Sequence, residues 1–167
     1  MATISQSDNE NLQRLVGAIV LASQDVEGYL KVIVPFMATE EATLQSVIQT
    51  HGKLQRRMLG QLVGHFVDST TSDTLGFAQH MAQLVNDRNR IVHHFNDTYG
   101  AQLASGDIAS VISSLQAVLG NITNFRSVTV QLALVIFEGL RDTTFYGTPE
   151  YEQFSELCAK FRKQVAS

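Results

Sequence analysis

Arg88, Asn89 and His93 stand within six residues of one another in a stretch that otherwise reads as a core helix, Leu84-Val85-Asn86-Asp87-Arg88-Asn89-Arg90-Ile91-Val92-His93-His94-Phe95. A guanidinium suits the oxygens of a phosphate, and an imidazole titrates near neutrality and can move a proton. Phe77, Met81, Leu84/Val85, Ile91/Val92 and Phe95 recur at the spacing of an amphipathic helix. At about 100° per residue, with Val85 as zero, Met81, Val92, Phe77 and Phe95 fall between roughly −20° and −80°, and Arg88 lies among them near −60°. Asn89 and His93 come one turn apart on the edge of that arc, while His94 points the opposite way. A guanidinium centred on an apolar stripe is costly unless an anion pairs with it or another chain covers it. Two readings stay open: a functional site, or a structural arginine salt-bridged to a carboxylate on another helix.

The elements that must position these residues are helices. Two prolines, no tryptophan and little strand-like alternation in 167 residues imply one all-α domain, large enough to bury a core without staples. A net charge of −4 and a pI near 5.7 argue against a broad basic nucleic-acid surface and make DNA an unfavoured partner. Local basic groups remain at Arg88/Arg90 and at Lys53, Arg56 and Arg57, the latter read as a solvated face. The single Cys158 makes no intrachain disulfide, which fits a reducing compartment. With a polar start (Thr3 to Asp8) and apolar runs such as Leu15 to Ala22 well short of the ~20 residues of a span, the expectation is a soluble, cytoplasmic protein with no membrane contact.

The first helix is expected to start after Ser7 or Asp8, to bury Leu12, Leu15, Val16, Ile19, Ala22, Val26, Leu30 and Ile33, and to end or kink at Pro35. Glu27, at the rim of that stripe, is the candidate counter-charge for Arg88. A second helix starts at Thr39-Glu40-Glu41 and breaks at His51-Gly52. A third covers about Lys53 to Val67 with Leu54, Met58, Leu59, Leu62 and Phe66 inward, and Asp68 to Asp73 is a loop. The site helix starts near Asp73 or Thr74 and ends around Phe95, because Asn96 to Gly100 is turn chemistry. Tyr99 just beyond it either lines a pocket or anchors a loop.

From Asp107 a long helix follows, with Ile108, Val111/Ile112, Leu115, Val118/Leu119, Ile122, Phe125, Thr129, Leu132, Ile136 and Leu140 inward. It runs about 50 Å unless Gly120-Asn121 kinks it, longer than a small domain is wide, and a second copy of the chain is the natural cover for the excess. Gly147-Thr148-Pro149 precedes a last helix over about Glu150 to Val165, with Phe154, Leu157, Cys158 and Phe161 inward. The whole is an up-and-down bundle of five or six helices.

No phosphate-binding glycine loop, zinc spacing or metalloprotease motif is present, so no cofactor and no metal site are expected. Cys158 on its apolar stripe reads as a buried, inert thiol.

Arg88-Asn89-Arg90-Ile91-Val92-His93 resembles the signature of the HEPN superfamily (higher eukaryotes and prokaryotes nucleotide-binding): Arg, often followed by Asn, then His after four intervening residues, on a helix of an all-helical bundle. Met58-Leu59-Gly60-Gln61-Leu62 and Val26-Glu27 also look like parts of bacterial members. The resemblance implies a homodimeric, metal-independent endoribonuclease with two such motifs facing one another across the interface. Arg88 would stabilise charge on the phosphate, Asn89 would orient substrate or His93, and His93 would be the base or acid for attack of a ribose 2′-hydroxyl, leaving a 2′,3′-cyclic phosphate. Arg90, His94, Tyr99 and Glu27 would support them. Many relatives are toxins of toxin–antitoxin or abortive-infection defence systems, so an antitoxin is an implied partner beside RNA. Relatives controlled by a nucleotidyltransferase carry Tyr two positions after the His; Phe95 stands there and cannot accept a nucleotide. The alternative is a non-catalytic helical dimerisation or nucleotide-binding module of the same type.

Overall fold

The computed structural model describes residues 5–37, 53, 57–68 and 75–165. Among these, six helices and no strand occur: α1 (Gln6–Met37), α2 (Leu59–Asp68), α3 (Leu75–His93), α4 (Phe95–Ser105), α5 (Ile108–Asp142) and α6 (Tyr151–Val165). The all-α expectation is met. The expected helix from Thr39 to His51, the Ser/Thr-rich connection after Asp68, and Leu54 and Arg56 lie outside the described residues.

α1 and α5 form the spine. Leu12, Leu15, Ile19, Val26, Leu30 and Ile33 of α1 are buried against the Val111, Leu115, Ile122 and Phe125 side of α5 and its neighbours. Asp25 pairs with Arg126 and Phe36 packs edge-on against Phe137; both pairs are 101 residues apart, so the two longest helices run parallel. α6 returns antiparallel, with Phe154 and Phe161 both against Phe137 and Arg162 donating to Glu138.

Several boundaries differ from the sequence reading. α1 runs through Pro35 to Met37. Pro35 has no N–H for the Lys31 carbonyl, and the burial of Ile33 and Val34 beside it outweighs that one ladder bond. α5 is continuous through Gly120, 35 residues and about 52 Å long at ~1.5 Å per residue. In its second half the buried positions are Thr129, Val130, Ala133 and Phe137, while Leu132, Ile136 and Leu140 are half-buried. The aromatic cluster around Phe137 decides that orientation, since both candidate stripes are apolar. α2 begins only at Leu59, and Met58 is exposed at 73% instead of inward.

The expected turn at Asn96 to Gly100 is helical. Phe95 and Tyr99 share one face, their rings 5.2 Å apart, and Tyr99 is buried with its hydroxyl 3.0 Å from Ser114 Oγ on α5. That burial outweighs the turn preference of Asn, Asp and Gly, and Asp97 in the first turn suits the helix dipole. α4 closes at Gly106, whose φ of 83° lets its own and the following amide reach back to Leu103 and Gln102. Asp107 then caps α5 through the Ser110 amide.

Among the described residues α5 is also long and apolar enough to cross a bilayer by length and composition. Core helices of soluble proteins meet the same criterion; 28% of the qualifying window in α5 is buried.

Candidate active site

α3 carries the site. Its buried face is Met81, Leu84, Asp87 and Ile91, with Val85 and Val92 half-buried beside it. That face is turned from the arc expected around Arg88, so Arg88 falls at its edge and is half-buried. The polar group that the core does accept is Asp87, which the sequence reading passed over. Its Oδ1 receives Gln83 Nε2 at 3.0 Å and Arg90 Nη1 at 3.2 Å. The spacing of Gln83 four before and Arg90 three after is the local signal for this. Arg90 is thereby an exposed partner of Asp87 and is absent from the cleft described next.

Arg88, Asn89, His93 and His94 line an open cleft of about 400 Å³, faced by Met58, Leu59, Gly60 and Gln61. Arg88 Nη1 donates to Asn89 Oδ1 at 3.0 Å and lies 3.3 Å from His93 Nε2. A guanidinium can only donate, so this contact requires the lone pair of Nε2 to point at Arg88. The opposite wall is the start of α2. Gln61 and Leu62 amides bond the Met58 carbonyl at 3.0 and 3.1 Å, and the Gln61 side chain reaches back toward the Met58 amide. Leu59 and Gly60 therefore occupy the end of a helix where amides lack intrahelical acceptors and the dipole is positive. Gly60 permits the close approach: a Cβ there would come 3.3 Å from Val85 Cγ1 on α3. Among the described residues no carboxylate lines the cleft, although the chain is acidic overall.

Glu27 does not supply the counter-charge for Arg88. It accepts from Lys31 Nζ at 2.7 Å on its own helix, an i,i+4 pair legible from spacing alone. Among the described residues no carboxylate lies in ion-pair range of Arg88. His94 also departs from its expected outward position. The helix breaks at this residue (φ −130°, ψ 30°), so the 100° step no longer applies, and its ring lines the cleft beside that of His93. Its Nδ1 lies 3.5 Å from Asp97 Oδ2. Tyr99 anchors α4 to α5 and takes no part in the cleft.

Elsewhere, burial pushes the Cys158 thiol up, so it stays protonated near neutrality and is a core group. Among the described residues no three His, Cys, Asp or Glu side chains come together as a metal site.

The arrangement offers a guanidinium and a helix N-terminus for an anion, a carboxamide beside them, and two imidazoles for proton transfer. No family model, curated protein or solved structure matches the chain.

Proposed function

We propose that the protein is a metal-independent endoribonuclease of the HEPN-like kind, acting at the Arg88–Asn89–His93 cleft on RNA. The observation that carries the reading is a cleft lined by Arg88, a helix N-terminus and two histidines, with no carboxylate among its described walls. An unneutralised guanidinium opposite a positive helix end favours a phosphate. The rival reading, Arg88 as a structural ion pair in a non-catalytic helical module, lacks its counter-ion among the described residues.

A phosphodiester whose non-bridging oxygens meet Arg88 and the α2 amides brings its ribose 2′-hydroxyl within reach of His93 Nε2, the nitrogen whose lone pair faces Arg88. The phosphate displaces the internal Arg88–His93 contact and frees that lone pair for the proton. Attack of the 2′-oxygen on phosphorus then gives a 2′,3′-cyclic phosphate and a 5′-hydroxyl end. Asn89 holds Arg88 in its fork geometry through the Oδ1 contact. A homodimer, with a second cleft nearby, and control by an antitoxin complete the proposal in its toxin form.

Purified protein is expected to cut single-stranded RNA at neutral pH in the presence of EDTA, with cyclic-phosphate ends visible by mass spectrometry. Arg88→Ala and His93→Ala each lower the rate by roughly 10²-fold or more. RNA that stays intact while a control ribonuclease cuts it would overturn this function.

A further inference from the structure

Adjacent residues on an unbroken helix point about 100° apart and make poor co-catalysts. The backbone break at His94 removes that obstacle: the two rings share the cleft, with centroids 6.4 Å apart and planes at 73°. Their partners differ. His93 turns Nε2 to Arg88, which can only donate to it. His94 carries Nδ1 at 3.5 Å from Asp97 Oδ2, an ion-pair-range contact between two exposed side chains, and Nε2 is its other proton-carrying position. One ring thus presents a lone pair toward Arg88, and the other stands beside a carboxylate.

On the ribonuclease reading, on which this rests, the reaction needs both. The attacking 2′-oxygen and the leaving 5′-oxygen lie roughly in line on opposite sides of phosphorus, too far apart for one imidazole to serve in a single step. We propose that His94 is the general acid of the reaction and that Asp97 positions it, opposite His93 as base. The 2′-hydroxyl proton passes to His93 Nε2 as the O2′–P bond forms. The P–O5′ bond breaks, and its electron pair takes the proton from His94 Nε2. The products are a 2′,3′-cyclic phosphate and a 5′-hydroxyl, and the two imidazoles have exchanged protonation states. Arg88 and the start of α2 hold the non-bridging oxygens while this happens. Asp97, exposed and one helical turn beyond His94, is placed to orient the ring through Nδ1.

The test compares two dinucleotide substrates, one with the natural 5′-oxygen leaving group and one with sulfur at that bridging position, which departs as thiolate without a proton. His94→Ala should cut the oxygen substrate roughly 10²- to 10³-fold more slowly than wild type, and the sulfur substrate within about tenfold of it. His93→Ala should fail on both. Asp97→Asn should show the same preference for sulfur as His94→Ala with a smaller loss on oxygen, a pattern that a merely structural role would not produce. Both side chains are exposed, and circular dichroism confirms that the variants keep their helices. Equal losses on both substrates, or wild-type rates from His94→Ala on oxygen, overturn the assignment while leaving the ribonuclease intact. A wild-type protein that cuts neither substrate overturns both.

Discussion

Arg88 is half-buried yet, among the described residues, rests only on uncharged or imidazole partners, Asn89 and His93. Removing it orphans no buried carboxylate, so Arg88→Ala should change the free energy of unfolding by no more than about 1 kcal/mol, checked by urea titration. Arg88→Lys should preserve stability as well but recover little RNA cleavage, because an ammonium cannot present two parallel N–H groups to a phosphate. The choice between a structural and a chemical arginine depended on where carboxylates end up in space. Glu27 sat at a plausible place on its wheel, but Lys31 one turn away satisfied it first. His94 was out of reach of any wheel, since one pair of backbone angles redirects it. The Arg88, Asn89 and His93 cluster, by contrast, was visible because all three lie within six residues of one helix, Asn89 and His93 one turn apart.

At the scale of elements, periodicity located most of the helices, because burial of apolar rows at 3.6-residue spacing is a local property. Where two rows competed, tertiary packing chose. Phe137 holds together α1, α5 and α6 through contacts with Phe36, Phe154 and Phe161. Phe137→Ala should therefore cost about 3–5 kcal/mol, read from the urea midpoint, whereas Ile136→Ala should cost clearly less. α4 taught the opposite lesson about turn residues. Its Asn, Asp and Gly read as a loop until Tyr99 is seen to be buried against α5. Tyr99→Phe should lose about 1 kcal/mol, with RNA cleavage unchanged, since its hydroxyl serves the α4–α5 contact.

For the whole molecule, the open questions of the sequence were the length of α5 and what covers it. Val128 and Val135 on α5 are exposed at 53% and 65%, two helical turns apart on one face, with Leu132 half-buried between them. A homodimer, as proposed, has a ready apolar ridge there. Val128→Glu combined with Val135→Glu should convert a dimer to monomer in sedimentation velocity, and a cleft completed by a second copy should lose cleavage with it. Monomeric wild-type protein at tens of micromolar would remove the dimer from the proposal and leave the single-chain cleft to be judged by itself.

The parallel pairing of α1 with α5 has a consequence for how the chain reaches this structure. Helical bundles usually fold fast because neighbouring helices meet through short loops. Here Asp25 meets Arg126 and Phe36 meets Phe137, each across 101 residues. Closing a loop of that length costs about 4 kcal/mol of chain entropy before any contact compensates it. On the ribosome, the apolar face of α1 that α5 covers stays bare until α5 itself has been synthesised, 101 residues after its contact positions in α1.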